Sequence, residues 1–145
     1  MKFLTKITFL YASVCGLFFA AVAKNLSSST QHGSAIESLS NAFEAGIQSV
    51  ESYARVRPGD KSLLDALIPA VDFIKSKHTQ QEFLPQDWKE LAAIAERAAH
   101  ETKNLVAKVG RASYTKSVDT QVVDPGAYAV SIILQSISDV FAKAR

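Results

Sequence analysis

Asp124-Pro125-Gly126-Ala127 follows Gly110-Arg111-Ala112-Ser113-Tyr114 by ten residues, and these two runs decide how the second half of the chain is read. Each is short and turn-forming. Together they close a polar loop and hand over to an apolar helix. Proline at the first helical position forfeits no hydrogen bond, and its fixed φ suits the helix. Asp124 stands just before it, where a carboxylate can cap free N–H groups. Val130, Ile133, Leu134, Ile137 and Phe141 then recur at helical spacing and mark a buried face. Lys143 and Arg145 suit the negative end of the helix dipole. A helix start of this kind also offers unpaired N–H donors to an anion.

Upstream, Ser34 and Glu37 fit a capping box. Ile36, Leu39, Phe43, Ile47 and Val50 follow on one helical face, with Tyr53 beyond, while Glu37, Glu44 and Glu51 fall away from it. Arg55-Val56-Arg57-Pro58-Gly59 breaks that helix. Asp60 is placed to cap the next, whose apolar face is Leu64, Leu67, Val71 and Ile74, with a kink expected at Pro69. Asp65 and Asp72 read as charges on its solvated side. Asp87 with Glu90 repeats the capping logic for a third helix, rich in Ala92, Ala93, Ala95, Ala98 and Ala99, with Leu91, Ile94, Leu105 and Val109 as its bulk. No run of period-two alternation exceeds a loop strand, and Thr120 to Val123 comes nearest. The expected fold is all-α: antiparallel amphipathic helices, about five in number.

The chain has 145 residues, 48% of them hydrophobic and 21% charged, which describes one ordinary globular domain rather than a disordered segment. Its net charge of +2, without a basic stripe interleaved with aromatics, argues against nucleic acid as a partner. The single cysteine, Cys15, excludes an internal disulfide and a cysteine-based zinc site, and reads as a small buried hydrophobe. His32, His78 and His100 are scattered without metal-ligand spacing and read as surface residues. Residues 1–23 allow two readings. Lys2 and Lys6, an apolar run and Ala21-Val22-Ala23 imitate a secretory signal, which would make the chain a secreted helical protein. The favoured reading is a buried core helix in a cytoplasmic protein. The run is short for a bilayer and is interrupted by Thr8 and Ser13.

GRASY, DPGA and Pro58-Gly59-Asp60-Lys61-Ser62-Leu63-Leu64-Asp65-Ala66, in this order and spacing, resemble the C-terminal half of the DhaL domain, the nucleotide-binding domain of dihydroxyacetone (glycerone) kinases. Cys15-Gly16-Leu17-Phe18-Phe19-Ala20-Ala21 resembles the helix that follows the family's GGxSG phosphate loop. Where that loop belongs, this chain has Thr8-Phe9-Leu10-Tyr11-Ala12, without a glycine. The expected division is therefore a divergent segment over 1–12 and a partial DhaL domain over 13–145, part of a barrel that closes with eight helices in the family.

The resemblance implies a nucleotide site for ATP or ADP. Family loops before PGDK and a hydrophobic residue just after it contact ADP, and the matching positions are Ala54 and Leu63. Arg111 would clamp phosphate through parallel hydrogen bonds, although alone it reads as a solvated surface charge. Asp124, Pro125 and Gly126 would meet the nucleotide at the helix mouth. The family's Mg²⁺ ions are held by a D-x-x-x-x-D-x-D-type cluster, and no D-x-D occurs here. The family also phosphorylates trioses, dihydroxyacetone or glyceraldehyde, and its animal members act as FMN cyclases. The implied function is thus a kinase-type nucleotide-binding domain that does not turn over alone, with no catalytic or metal-ligating residue assigned here. A non-catalytic remnant that binds nucleotide, or binds a full-length kinase, is the alternative. With one wall missing, self-association or docking onto the dihydroxyacetone-binding kinase domain is expected.

Overall fold

The computed structural model describes residues 2–28, 34–77, 79–80, 82–108 and 121–143, with side chains from Val14 onward. Among these the fold is all-α. The helices are α1 (Lys2–Ser28), α2 (Ala35–Ala54), α3 (Leu64–Ser76), α4 (Pro85–Glu101) and α5 (Pro125–Lys143), with a single 3₁₀ turn at Thr102–Asn104. Each helix packs on the next in chain order, and α3 also touches α5.

The apolar stripes of the sequence become three joined clusters. Phe18 and Val22 of α1 enter the first with Ala42, Ile47 and Val50 of α2 and Leu64, Leu67 and Val71 of α3. Ile36, Ala70, Ile74, Leu91, Ala95 and Leu134 form the second, drawn from α2 to α5. Ala66, Ala99 and Ala127 form a small third one, and Val130 of α5 packs against all three. The run read as a core helix therefore does pack as one: Phe18 and Val22 are buried, and Phe18 meets Phe43 edge-on at 5.6 Å. The close approach of α1 and α2 depends on Gly46, where an added Cβ would lie 2.5 Å from the Phe18 ring and 3.0 Å from Val22. No described helix is long and apolar enough to cross a membrane.

Several local expectations hold. The Ser34 hydroxyl accepts the Glu37 N–H at 3.1 Å. α2 ends at Ala54, with Arg55 in the left-handed region at φ 53°. Pro69 lies inside α3 and Pro125 begins α5.

Others are corrected. Asp60 does not cap α3. Its carboxylate accepts the Arg57 N–H at 2.8 Å, and the position before α3 is Leu63, which has no side-chain cap. The third helix starts at Pro85, earlier than its Asp87–Glu90 pattern indicated. Asp87 is buried at its third position and accepts the Leu84 N–H at 2.9 Å. Its other oxygen pairs with Lys77 at 2.9 Å, so the capping residue also joins the end of α3 to the start of α4. Leu105 lies beyond the helix, past the 3₁₀ turn.

The largest correction concerns α5. Ile133 and Phe141, assigned to its buried face, are 40% and 50% exposed. Leu134 is buried, and Val130 and Ile137 pack on the core as expected, but the rest of the buried face is Gly126, Ala127, Ser131 and Ser138. Ala127 of α5 clusters with Ala99 of α4 and Ala66 of α3, and Leu134 clusters with Ala95. Small residues thus take up part of the contact between α4 and α5, while Ile132, Ile133 and Val140 stay exposed.

Candidate functional site: a turn seated against a helix start

The segment between α2 and α3 is held in shape by two carboxylates. Asp65, in the first turn of α3, accepts the N–H groups of Gly59 and, at 2.7 Å, of Ser62. Asp60 accepts from Arg57, as above. Two residues of the turn are left-handed, Gly59 at φ 86° and Lys61 at φ 63°. Glycine adopts that region at no steric cost, whereas a lysine there is strained by about 1 kcal/mol or more. The hydrogen bonds of Asp65 on either side of Lys61 hold it there. Asp65 is thus half-buried and structural, not the solvated charge its position on a helix indicated.

Asp60 also reaches across the fold. Its carbonyl accepts the Lys108 N–H at 3.4 Å, and the Lys108 ammonium lies 3.8 Å from its carboxylate. The turn is thereby tied to the chain that leaves α4.

The start of α5 sits directly on this turn. Asp124 is buried, and its carboxylate accepts the Ala127 N–H at 2.8 Å, the cap expected of it. Its own N–H donates to the Thr102 hydroxyl at 2.8 Å, and that hydroxyl donates to the Ala99 carbonyl at 2.6 Å. One buried threonine therefore joins the end of α4 to the start of α5. Gly126 is required by close approach: a Cβ there would lie 3.2 Å from Leu63 Cβ and 3.0 Å from the Asp124 carboxylate.

Burial pushes the Asp124 carboxyl above its ordinary value. The N–H groups of Ala127 and Gly126 oppose that shift, the Asp65 charge adds to it, and Lys61 opposes it. A carboxyl raised in the folded state binds its proton more tightly than in the unfolded chain. The folded state therefore gains stability from Asp124 as pH falls through the raised value, and loses that contribution as pH rises from about 3.8 through it. Asp124→Asn keeps a capping oxygen without a buried charge. We expect it to match or exceed the parent in urea midpoint at pH 7, with the difference moving in favour of the parent as pH is lowered from 7 toward 3.8. Asp124→Ala removes the cap and should cost about 1 kcal/mol at pH 7. A pH-independent difference between parent and Asn variant would show that Asp124 titrates as it does in the unfolded chain.

Of the six nucleotide candidates, the structure brings Leu63, Asp124 and Gly126 into contact. Pro125 is exposed beside them, and Ala54, the last residue of α2, packs on the cluster that contains Leu63. Arg111 lies outside the described residues, as do His32 and His78. Sequence reasoning missed Thr102 and the structural role of Asp65. Asp65 carried a signal in hindsight, because it follows a Pro-Gly-Asp turn at the distance from which a first-turn carboxylate reaches back. Thr102 carried none.

Asp60, Asp65 and Asp124 are each engaged by backbone N–H groups. They do not fit the open carboxylate cage that an Mg²⁺ site needs. Among the described residues no three His, Cys, Asp or Glu side chains converge for a metal ion. The donors do suit an anion in one respect: Lys61 and Lys108 place two ammonium groups on a turn whose own carboxylates are already bonded.

Among the described residues, then, the body is all-helical and a PGDKS turn is seated against a DPG helix start. A family model described as the DAK2 domain matches residues 11–139, and the chain belongs to that family. It is 35% identical over 125 residues to human triokinase/FMN cyclase, covering 86% of this chain and 21% of that protein. Dihydroxyacetone kinase of Komagataella pastoris is 32% identical over 89% of this chain and 22% of its own length. The ADP-binding subunit DhaL of the PEP-dependent dihydroxyacetone kinase of Escherichia coli is 30% identical over 85% of this chain and 58% of its own length. The chain thus spans about a fifth of the two kinases and little more than half of the bacterial subunit.

Proposed function

We propose that this chain supplies part of an ATP/ADP site for phosphoryl transfer to a triose, dihydroxyacetone or glyceraldehyde, and that it requires a partner to turn over. The observation that carries the reading is the contact between Leu63 and Gly126, which joins the PGDKS turn to the DPG helix start. On this view Ala54 and Pro125 flank the nucleotide and Leu63 and Gly126 form the floor beneath it. Arg111 binds phosphate, assisted by Lys61 and Lys108. Asp124 acts by shaping the helix start, since its carboxylate occupies the N–H groups an anion would otherwise use. Phosphoryl transfer rests on positioning and on neutralising charge. In the family Mg²⁺ neutralises the phosphates, and the carboxylates described here do not fit it. The metal ligands and the triose-binding machinery would come from another polypeptide segment or subunit, in a cytoplasmic setting.

Calorimetric titration of the purified chain with ADP, with and without Mg²⁺, tests the reading. Binding should be measurable and should weaken about tenfold or more in Arg111→Ala, the loss expected for a charge-assisted hydrogen-bonded pair. The pure chain with ATP and Mg²⁺ should not phosphorylate dihydroxyacetone. Absence of ADP binding under both conditions would reduce the two loops to scaffold.

A further inference from the structure

The hydroxyl of Thr102 makes a bond that crosses from the end of α4 to the start of α5. Thr102 is fully buried. A hydroxyl has one proton to give. Thr102 gives it to the Ala99 carbonyl at 2.6 Å, which leaves a lone pair for the Asp124 N–H, 2.8 Å away. The direction of both bonds is therefore fixed. Threonine is branched at Cβ, so few rotamers are open to it and the hydroxyl stays aimed. The Asp124 carboxylate, by contrast, bonds to the Ala127 N–H within its own helix start and orients nothing beyond it. Gly126 tolerates little displacement, since a Cβ there would already lie 3.2 Å from Leu63 Cβ. The segment that carries Arg111 leaves at Thr102 and returns at Asp124. The seat of Gly126 on Leu63 and both ends of the Arg111 segment thus converge on one hydroxyl.

We propose, on the reading of this turn and helix start as a nucleotide site, that Thr102 is a positioning residue for the nucleotide. By accepting the Asp124 N–H, its hydroxyl holds the Asp124-Pro125-Gly126 helix start against Leu63 and sets where the Arg111 segment begins and ends. Removing the hydroxyl leaves the Ala99 carbonyl with the backbone N–H of Thr102, but it leaves the Asp124 N–H buried and unpaired. A folded chain relieves an orphaned donor by admitting water or by moving the donor. Moving it here displaces Pro125 and Gly126.

Calorimetric titration with ADP compares the full chain with Thr102→Val, which keeps the branched shape without the hydroxyl, and Thr102→Ser, which keeps the hydroxyl. Thr102→Val should bind about tenfold more weakly, the loss expected for one buried hydrogen bond. Thr102→Ser should recover most of the parent's affinity, with helical circular dichroism unchanged in both. In the Thr102→Val background, Arg111→Ala should weaken binding by less than it does in the parent, because the two residues act through one segment. Coupling is reciprocal, so the parent alone supplies a second test that does not depend on a variant folding. Saturating ADP should slow amide exchange at Asp124 about tenfold or more. It should leave exchange unchanged at Lys77, whose N–H bonds to the Ile74 carbonyl at 3.1 Å at the far end of α3. Parent-like affinity in Thr102→Val, no recovery in Thr102→Ser, or no greater slowing at Asp124 than at Lys77 overturns the proposal while the nucleotide site stands. Absence of ADP binding to the parent overturns both.

Discussion

Gly46→Leu should lower the urea midpoint by the equivalent of about 3 kcal/mol or more and loosen α1 from the body of the protein. A bare Cβ at this position already falls 2.5 Å from the Phe18 ring, a distance no side-chain carbon tolerates. A single methyl can be met by a small shift of that ring, and alanine gains back about 1 kcal/mol of helix propensity over glycine. Gly46→Ala should therefore be nearly neutral or mildly destabilising. The four side-chain carbons of leucine have no such escape, because Val22 closes the other side at 3.0 Å. Either the core overpacks, at about 1–3 kcal/mol, or α1 lifts and exposes Phe18 and Val22, each worth about 1.5–3 kcal/mol of burial. Binding of a dye specific for exposed apolar surface distinguishes the two routes. A leucine variant as stable as the parent would mean that α1 does not rest on Gly46, and the signal-peptide reading of residues 1–23 would regain its footing.

Asp87→Ala should cost about 3 kcal/mol. The carboxylate is buried, bonded through one oxygen to the Leu84 N–H and through the other to Lys77 at 2.9 Å. Truncation leaves the first turn of α4 without its cap. It also leaves the Lys77 ammonium with only the Phe73 ring, 5.1 Å away, in place of its partner. Because Lys77 retains some access to solvent, the loss should stop short of what a sealed ion pair would show. Asp87→Asn retains the bond to Leu84 and should lose roughly half as much. Trp88, the only tryptophan, adjoins the site and stacks on Phe141 at 4.7 Å. Its fluorescence therefore reports the local loosening directly, and equal stability of the Ala and Asn variants would show that the backbone bond contributes nothing.

The helical periods of α2 and α3 were legible because each carries bulk on one face and charge on the other. α5 was legible only in part: Val130, Leu134 and Ile137 do face the core, whereas Ile133 and Phe141 are exposed. A period analysis assigns the largest apolar residues to the core, but where α5 meets Ala99 of α4 the buried residue is the small Ala127. Ile133 was thereby read inward when it points out. The caps show the same division. Ser34 and Asp124 act locally and were read correctly. The capping role of Asp87 is local and legible, but its pairing with Lys77 comes from the end of the preceding helix, and no local pattern reveals that. Within the candidate site, the sequence motifs marked the two loops but not the bonds between them. The contact of Leu63 with Gly126 and the bridging hydroxyl of Thr102 arise only when α3, α4 and α5 come together.

Thr102 and Asp124, 22 positions apart, meet at a single hydroxyl that also closes the end of α4. The two ends of the intervening segment are therefore held together at its root. Lengthening such a loop is inexpensive, since each doubling adds only about 0.6 kcal/mol of closure entropy. A connection rooted in this way can be lengthened at little cost while the frame at its two ends stays where it is.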